Sequence, residues 1–406
     1  MWRCADHTFD LVTPLVMGVV NVSPDSFSRQ RYSGFLKEAI EHGRQLVVQG
    51  ADIIDVGGES TRPGFISVDP QEELSRVIPV VKELVACGGV VSIDTRHALV
   101  AAAAIDAGAS VVNDVTGFSS PDMHEVARSY DVGLVAVRSN ITSHQVPPVL
   151  PYQEDDSPAF SLKNATEALA RLSPAIDTSR VVFDPGFGFV DTYEEDLALW
   201  AHLDQLASLS CPLLVGVSRK RLIGRISGIP DPLQRDEPSA QLAFAATEHG
   251  AKVVRTHNVA LTKRYLSGGE EPAIVTAYVA LGSNLGDRKV SLDEATVRID
   301  ALPLTQVVAR SADIETAAQY VTNQPDFLNG VLRVETRLPL FAFFTELQAI
   351  EIALGRVKEY DKGPRNIDLD LLFYGDVVYL TKELAVPHPL INERDFVLTP
   401  LREVRV

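Results

Sequence analysis

Two aspartates, Asp368 and Asp370, alternate with apolar residues in the segment RNIDLDLLFYG (365–375). If this segment is a strand, both carboxylates point to the same face, because residues two apart in a strand share a face. Two carboxylates on one face are suitable oxygen ligands for Mg²⁺, which would bridge the phosphates of a nucleotide. A solvated strand face is the alternative, and the preceding Gly-Pro-Arg-Asn (363–366) favours the metal site.

A second group of polar and charged residues stands where apolar segments end. The run that ends at Asn21 in MGVVNVSPDSFS (17–28) is typical of a buried strand followed by a loop. Asn and Asp also begin ordinary turns, which is the alternative for any single position. Their recurrence at successive strand ends indicates a shared site instead. The further strand-end residues are Asp55, Asp94, Asn113, Asp114, Asp184, Ser218, Arg219, Lys220, Arg255 and His257.

Helix-length amphipathic segments separate these apolar runs, for example at residues 35–50, 72–88 and 96–109. Strand and helix alternate eight times over roughly 260 residues, which is the size and order of a (β/α)8 barrel. In that fold the active site forms at the C-terminal ends of the strands. We therefore expect an α/β protein with an N-terminal TIM barrel, at whose mouth these polar side chains meet.

A domain boundary is expected near the segment YLSGGEEPAIVTA (265–277), which lacks apolar periodicity and resembles a linker. We predict a barrel over 1–266, a linker over 267–275 and a second domain over 276–406. That second domain mixes strand and helix patterns, so a small α+β (ferredoxin-like) domain is expected. Its predicted strands include 329–336 and 368–375, and its predicted helices include 289–302 and 340–355.

Composition excludes several classes of protein. The 406 residues carry a formal net charge of −17, whereas nucleic-acid-binding proteins are usually basic. Cys4, Cys87 and Cys211 are far apart without CxxC spacing, so we expect reduced, buried thiols in a cytoplasmic protein. No apolar run reaches ~18 residues. The N-terminal MWRCADHTFD lacks the apolar core of a signal peptide, so no membrane association is expected.

The ordered motifs resemble two enzyme families. MGVVNVSPDSFS, DVGGESTRPG, SIDT, VNDVTG, DPGFGF, GVSRK and RTHNV resemble, in order, the strand ends of dihydropteroate synthase. ALGSNLGDR, QPDFLN, GPRNIDLDLLFYG and VPHPLINERDFVL resemble 6-hydroxymethyl-7,8-dihydropterin pyrophosphokinase. Together the motifs span nearly the whole chain, with the synthase before the kinase. The chain has no GxxxxGK[ST] motif, so nucleotide binding would depend on the kinase family's own site.

The resemblance implies two consecutive reactions of folate biosynthesis. The kinase domain would transfer pyrophosphate from ATP, a co-substrate, to the hydroxymethyl oxygen of the pterin, with Mg²⁺ as cofactor. The barrel would then join the pterin to p-aminobenzoate, giving 7,8-dihydropteroate and free pyrophosphate. The implied partners are these small molecules and a second copy of the chain, bound through the barrel helices.

For the barrel, the resemblance implies a role for each strand-end residue. The pterin would bind Asp94, Asn113, Asp184, Lys220 and Arg255. The p-aminobenzoate would bind Phe189, Ser218 and a loop containing Thr61, Arg62 and Pro63 that closes over it. Pyrophosphate would bind Asn21, Arg255 and His257, with Asn21 also placed to meet Mg²⁺. The catalytic residues would be Asp94, Lys220, Arg255 and His257.

For the kinase domain, the resemblance implies a pterin pocket beside a nucleotide site. The pocket would contain Thr316, Phe327, Asn329 and Phe396. The rings of Phe327 and Phe396 would sandwich the pterin, and the alternative for these two residues is an ordinary place in the core. ATP would bind Gln348, Glu351, Arg356, Arg365, His388 and Arg394. Arg365 would also be catalytic, and Asp368 and Asp370 would hold the metal.

Several positions depart from the family patterns and leave an alternative open. Arg29, Gln30 and Arg31 replace an acidic, flexible loop, and Val137 and Arg138 replace a Met-rich segment after the fifth strand. Lys362 replaces a tryptophan in the kinase domain. The alternative is a degenerate paralogue whose barrel binds pterin without turnover and acts as a scaffold or regulator. A pterin-binding methyltransferase is disfavoured by the Thr-Arg-Pro loop and the attached kinase.

Overall fold

The structure is a computed structural model. It describes residues 1–22, 32–60, 67–139, 176–189, 192–267, 273–319, 323–356 and 363–405. Thr61, Arg62 and Pro63, the changed residues Arg29 to Arg31, Lys362 and most of the predicted linker lie outside the described residues. Their roles stay predictions.

Eight parallel strands form a closed barrel, as the strand-end pattern predicts. The sheet order is β8-β7-β6-β5-β4-β3-β10-β9, and a parallel bridge between Phe183 and Leu213 joins its two edges. The strands are apolar because both faces are covered, by helices outside and by the filled interior inside. They are β3 (Leu15–Asn21), β4 (Ile53–Gly57), β5 (Val91–Asp94), β6 (Val111–Asp114), β7 (Gly133–Val137), β8 (Val181–Asp184), β9 (Leu214–Val215) and β10 (Val253–Thr256).

An N-terminal hairpin closes the end of the barrel opposite the strand-end residues. Its strands are β1 (Trp2–Cys4) and β2 (His7–Phe9). Trp2 is fully buried with interior residues of the barrel strands, and its indole Nε1 donates to the Arg180 carbonyl oxygen at 2.8 Å. The sequence patterns do not predict this hairpin, because each strand has only three residues.

Helices cover the outside of the barrel, and several start at recognisable caps. Asp69 caps a helix with proline at its first position, Ser120 does the same, and Thr192 forms a capping box with Glu195. The α-helices are α1 (Tyr32–Val48), α2 (Pro70–Ala86), α3 (Ala98–Asp106), α4 (Pro121–Ser129), α5 (Tyr193–Ala201), α6 (Leu203–Ala207), α7 (Arg221–Ser227), α8 (Asp236–Glu248) and α9 (Val259–Leu266).

The C-terminal part contains an antiparallel sheet of order β12-β14-β11-β15, with β13 paired to β14. This order fits the expected α+β class, and α10 and α11 supply its helices. The long strand β14 pairs with β11 over nine positions, from Val275 with Thr336 to Ser283 with Leu328. The elements are β11 (Val275–Ser283), α10 (Arg288–Asp300), β12 (Thr305–Arg310), β13 (Ile314–Thr316), β14 (Phe327–Thr336), α11 (Leu340–Ala353), β15 (Asp368–Tyr374), β16 (Tyr379–Leu380), β17 (Ala385–Val386) and α12 (Asp395–Val404).

The cysteine prediction is correct at two of three positions. All three thiols are free, and Cys4 and Cys211 are buried. Cys87 is exposed instead, because it follows the last turn of α2, where the chain leaves the barrel surface. Among the described residues, none of the helices combines the length and the apolar character needed to cross a bilayer.

Helix α11 packs the C-terminal sheet against the barrel. Glu346 on α11 is buried, and its Oε1 accepts from Trp200 Nε1 at 2.7 Å and meets His249 Nε2 at 2.9 Å. The other ring nitrogen, His249 Nδ1, lies 2.9 Å from Asp204 Oδ1. Burial alone would lower the pKa of His249, but the hydrogen bonds to Asp204 and Glu346 outweigh it and raise the pKa to about 10. The imidazolium therefore bridges the two parts of the chain.

Stability should fall as His249 loses its proton. The pKa is higher in the folded chain than the unperturbed 6.5, so this contribution is complete below pH 6.5 and disappears as the pH rises towards 10. We expect the free energy of unfolding, from urea titrations between pH 6 and 10, to fall with pH more steeply in the wild type than in His249→Gln. His124→Gln, on α4 away from Glu346, is the control and should keep the wild-type slope. Equal slopes in all three proteins would contradict the bridge.

Candidate active sites

The strand register brings the predicted barrel residues to one end of the sheet. Asn21 is level with Gly57, Gly57 with Asp94, and Asp94 with Asn113. On the other side of the barrel, Val137 is level with Asp184. Because parallel strands present their carboxyl ends at the same edge, these residues line one mouth.

Arg255 forms the centre of a charged network at this mouth. Its Nε donates to Asp55 Oδ2 and its Nη2 to Asp94 Oδ2, each at 2.6 Å. Asn113 Nδ2 donates to the same Asp55 oxygen at 3.0 Å. Burial raises the pKa of Asp94 to about 7, against the opposing effect of Arg255. Asp94 and Arg255 thus form a partly buried ion pair beside the space in the mouth.

Asp55 also belongs to this network, although the resemblance to dihydropteroate synthase motifs implied no role for it. Its side chain is completely buried and bonded to both Arg255 and Asn113. The sequence signal was present, because Asp55 ends an apolar run like the other strand-end residues. Its position under Arg255 indicates that it orients the guanidinium.

Asp184 and Lys220 form a second part of the mouth. Asp184 Oδ1 accepts from Gly186 N at 2.8 Å, and burial raises its pKa while Lys220 opposes the shift. Burial lowers the pKa of Lys220, and its Nζ donates to the Phe187 carbonyl oxygen at 2.6 Å. The same Nζ lies 4.9 Å from the centroid of the Phe189 ring, within the range of a cation–π contact.

The two parts of the mouth meet at Gly216. A Cβ at this position would lie 3.7 Å from Asp184 Oδ2 and 3.6 Å from Arg255 Cβ. Ser218 and His257 continue the same edge, with Ser218 Oγ 3.0 Å from His257 Nδ1. Asp94, Asn113, Asp184, Lys220 and Arg255 are therefore together, as expected for one site. Asp114 instead fixes its own turn, accepting from Thr116 N and Phe118 N at 2.8 Å each, so the turn alternative holds at that position.

Two oxygens at the mouth suit hydrogen-bond donors from a ligand. Asp55 Oδ1 and Asn113 Oδ1 are buried and have no partner among the described residues. Buried acceptors without partners are costly, so such atoms often receive a ligand's donors. A pterin ring, with its amino group and ring N–H, offers donors of this kind.

The substitution at Arg138 keeps the Asp184 turn in place. Arg138 N donates to the Asp184 carbonyl oxygen at 2.8 Å, and its Nη1 donates to the Pro185 carbonyl oxygen at 3.2 Å. Although Arg138 replaces the family's usual residue, it supports the loop that carries Asp184. This contact gives no support to a degenerate barrel.

In the C-terminal domain, a cavity brings together the predicted pterin and metal residues. Asn329 Nδ2 donates to Thr316 Oγ1 at 2.8 Å, which fixes the amide at the cavity wall. Arg365 and Arg394 lie over the rings of Phe327 and Phe396, each at 5.6 Å from guanidinium carbon to centroid. The predicted residues in the lining are Thr316, Phe327, Asn329, Arg365, Asp368, Asp370, Arg394 and Phe396.

Three arginines surround the two aspartates of β15. Asp368 lies 3.0 Å from Arg356 Nη2 and 3.1 Å from Arg365 Nη2, and Asp370 lies 3.6 Å from Arg394 Nη1. Leu369 and Leu371 are buried on the opposite face, so both carboxylates do face the cavity. Burial and the neighbouring Asp368 raise the pKa of Asp370 to about 6.

The carboxylates of Asp368 and Asp370 fit a magnesium ion only if a bound nucleotide supplies further oxygen ligands. Among the described residues, none form a group of three or more His, Cys, Asp or Glu side chains able to hold a metal. Asp368 and Asp370 supply two carboxylates, and Mg²⁺ commonly completes its shell with water and phosphate oxygens. Two carboxylates beside arginines therefore fit a metal–nucleotide complex better than a metal alone.

The remaining predicted ATP residues occupy different places. Glu351 is buried, accepts from Leu369 N at 2.7 Å and pairs with Arg356, and burial raises its pKa to about 8. Gln348 Oε1 instead accepts from the hydroxyl of Tyr193 on α5 of the barrel at 2.6 Å. Burial lowers the pKa of His388, whose Nδ1 accepts from Leu390 N at 3.3 Å. Nucleotide contact by all three stays a prediction.

Asn284 is a positioning residue that the sequence patterns did not single out. It is buried, its Oδ1 accepts from Arg365 N at 2.8 Å, and its Nδ2 donates to Gln324 Oε1 at 3.1 Å. The amide thus ties the loop before Phe327 to the strand that carries Asp368. The sequence feature that could have identified it is its position in the Gly-Ser-Asn segment (282–284) at the end of β11.

A parallel barrel with a polar mouth, joined to a sheet domain with an arginine-rich cavity, is the architecture of an α/β enzyme with two separate candidate sites. Two family models match consecutive parts of the chain. "Pterin binding enzyme" matches residues 17–257, and "7,8-dihydro-6-hydroxymethylpterin-pyrophosphokinase (HPPK)" matches residues 278–406.

Individual relatives agree with the first model. The chain is 39% identical over 247 residues to dihydropteroate synthase of Bacillus subtilis, covering 60% of this chain and 84% of the relative. It is 36% identical over 291 residues to dihydropteroate synthase of Neisseria meningitidis serogroup C, covering 70% and 99%. A solved dihydropteroate synthase from Xanthomonas albilineans superposes with a TM-score of 0.58 and 38% identity, covering 65% and 95%.

The chain belongs to the dihydropteroate synthase family of pterin-binding enzymes, with a hydroxymethyldihydropterin pyrophosphokinase domain at its C-terminal side. It is a bifunctional transferase of folate biosynthesis. The predicted family and fold class are thereby confirmed, in the order synthase first and kinase second.

Proposed function

We propose that the two sites catalyse consecutive reactions, with the kinase making what the barrel consumes. The kinase domain converts 6-hydroxymethyl-7,8-dihydropterin and ATP to the pterin pyrophosphate and AMP. The barrel joins this product to p-aminobenzoate, releasing pyrophosphate and 7,8-dihydropteroate. The domain limits are 1–266 for the barrel, 267–275 for the linker and 276–406 for the kinase.

The observation that carries the barrel's role is the network of Arg255, Asp55, Asp94 and Asn113 at the barrel mouth. A Xanthomonas albilineans dihydropteroate synthase, 35% identical with a TM-score of 0.55, is described in complex with 7,8-dihydropteroate. One from Thermus thermophilus, 33% identical with a TM-score of 0.54, is described in complex with 4-aminobenzoate. We infer the same ligand classes for this barrel.

In the barrel reaction, the amine nitrogen of p-aminobenzoate forms a bond to the pterin methylene carbon. The carbon–oxygen bond to pyrophosphate breaks, pyrophosphate leaves with the electron pair, and the amine loses a proton. Asp184 and Asn113 hold the pterin ring, while the carboxylate of Asp94 stabilises positive charge that develops on it. Arg255 and His257 neutralise the departing pyrophosphate, and Lys220, near Phe189, contacts the ring.

The p-aminobenzoate site is proposed beside Phe189 and Ser218. Ser218 is held by His257, which places the hydroxyl next to the pyrophosphate residues. Thr61, Arg62 and Pro63 complete the site in this proposal. Asn21, at the end of β3, is the proposed Mg²⁺ contact of the pyrophosphate group.

In the kinase reaction, the pterin hydroxymethyl oxygen forms a bond to the β-phosphorus of ATP, and the hydroxyl proton is released to solvent. The bond from that phosphorus to the oxygen shared with the α-phosphate breaks, and AMP leaves with that oxygen and its electron pair. Arg356, Arg365 and Arg394 bind the phosphates and neutralise their charge. Asp368 and Asp370 would hold Mg²⁺, which when bound adds further charge neutralisation. Phe327 and Phe396 flank the pterin ring, and Thr316 and Asn329 hydrogen-bond to its edge.

The test of the proposal is a coupled assay with the intact chain. Hydroxymethyldihydropterin, ATP, Mg²⁺ and p-aminobenzoate are supplied together, and AMP and dihydropteroate are measured by chromatography. We expect both products, each dependent on ATP. Formation of AMP without dihydropteroate would overturn the proposed role of the barrel. A cytoplasmic location and a homodimer through the barrel helices stay predictions.

A further inference from the structure

Asp236, the first residue of α8, connects the two loops that carry Ser218, Lys220 and His257. Its Oδ1 accepts from Arg219 Nε at 2.6 Å and its Oδ2 from Arg219 Nη2 at 2.9 Å. The same Oδ2 accepts from Asn258 Nδ2 at 3.0 Å. The side chains of Asp236 and Arg219 are 23% and 21% exposed, so the pair is only partly accessible to solvent.

On one side, this carboxylate fixes a loop with an unusual backbone. Arg219 stands between Ser218 and Lys220 and has a φ of 60°, in the left-handed region that costs a non-glycine residue free energy. Its backbone N donates to Ser239 Oγ on α8 at 3.0 Å. Both the side chain and the backbone of Arg219 are therefore held by α8. The turn presents Ser218 and Lys220 in directions that an ordinary turn would not provide.

On the other side, Asp236 reaches the residue that follows His257. Asn258 caps α9 through Oδ1, which accepts from Leu261 N at 3.1 Å, and its remaining amide group donates to Asp236. Ser218 Oγ also accepts from His257 N at 3.1 Å. One carboxylate thus sets the separation between the loop after β9 and the loop after β10.

The charge on Asp236 is retained in this arrangement. Burial would raise its pKa, but the hydrogen bonds from Arg219 and Asn258 outweigh it, and the pKa lies below its ordinary value. A bidentate arginine–carboxylate pair also fixes direction as well as distance. Simple stabilisation of the start of α8 is the other role that a first-turn aspartate can have.

We propose that Asp236 is a positioning residue for the pterin pyrophosphate, acting through Arg219 and Asn258 on Ser218, Lys220 and His257. This inference rests on the proposed function of the barrel. Because Lys220 is assigned to the ring and His257 to the pyrophosphate, displacement of the two loops weakens binding of this substrate. Neither Asp236 nor Arg219 lines the kinase cavity, so the kinase rate is expected to stay unchanged.

The experiment uses three variants, which are Asp236→Ala, Arg219→Gly and the double variant that carries both changes. Asp52→Asn is the control. Asp52 pairs with Lys263 at 2.7 Å with similar exposure, but precedes β4 at the opposite end of the barrel. Binding of authentic pterin pyrophosphate is measured by calorimetry in the absence of p-aminobenzoate. The KM for each barrel substrate, the rate of the kinase reaction and the midpoint of thermal unfolding are measured for the same variants. We expect Asp236→Ala to weaken binding about ten- to a hundredfold, because a displaced Lys220 or His257 would lose a charge-assisted hydrogen bond to the substrate.

The double variant distinguishes two roles of Asp236, which are positioning of the substrate-binding loops and simple stabilisation of the start of α8. If Asp236 acts through Arg219 and Asn258, the double variant loses little more affinity than Asp236→Ala alone, because that single variant already releases both partners. Arg219→Gly suits the positive φ, so it tests the pair even where Asp236→Ala does not fold. Wild-type affinity in folded Asp236→Ala or Arg219→Gly, or equal losses in Asp52→Asn, would overturn the proposal. Failure of the wild type to form dihydropteroate would instead count against the barrel's proposed reaction, since binding is measured separately.

Discussion

Replacing both Asp368 and Asp370 with alanine is expected to lower AMP formation by at least about a thousandfold, because two groups that hold the metal and phosphates are lost together. The variant leaves Arg356, Arg365 and Arg394 near one another without these carboxylates. Arg356 keeps its pairing with Glu351, so we expect the domain to remain folded. AMP is measured by chromatography after incubation with hydroxymethyldihydropterin, ATP and Mg²⁺.

The control for this prediction is Asp376→Ala, in the exposed turn just after β15. It removes a carboxylate close in sequence but outside the cavity, and should retain the wild-type rate. Synthase activity of the double variant, with pterin pyrophosphate supplied, reports whether the rest of the chain is intact. Wild-type AMP formation in a folded double variant would show that the two aspartates do not hold the metal.

Asp184→Asn is expected to lower the kcat/KM of the barrel for pterin pyrophosphate by about a hundredfold or more. The amide places a donor where the pterin's own donors need an acceptor, and a site built for a hydrogen bond strongly rejects the mismatch. Asp184 is buried, so water cannot replace the lost acceptor. The rate is measured as dihydropteroate formed from authentic pterin pyrophosphate and p-aminobenzoate.

The kinase of this variant should work normally, so pterin pyrophosphate should accumulate when ATP and hydroxymethyldihydropterin are supplied. Asp106→Asn, at the exposed end of α3, is the matched change and should leave both rates unchanged. Mixing Asp184→Asn with Asp370→Ala should restore dihydropteroate synthesis if the intermediate passes through solution. Loss of kinase activity in folded Asp184→Asn would contradict two independently working sites.

The sequence was sufficient to predict the barrel because its strands have a simple physical signature. Each is an apolar run covered on both faces, and each ends at a polar residue such as Asn21 or Asp184 that the mouth requires. In the second domain, the alternation of Asp368, Leu369 and Asp370 predicts one polar and one buried face, and the burial of β15 confirms it.

Contacts between distant parts of the chain were not predictable in the same way. Glu346 lies in an apolar helix pattern, and only the packing of α11 on the barrel brings it to Trp200 and His249. Asp236 likewise looks like an ordinary first-turn aspartate until Arg219 and Asn258 are placed beside it. Such roles depend on tertiary neighbours that a local pattern does not contain.

The most direct test of the central claim is turnover by the wild-type barrel without the kinase reaction. The intact chain receives authentic pterin pyrophosphate, p-aminobenzoate and Mg²⁺ in the absence of ATP, and dihydropteroate and pyrophosphate are quantified together. We predict equal amounts of the two products over many turnovers. Tight binding of the pterin without dihydropteroate formation would contradict the claim and identify the barrel as a pterin-binding scaffold.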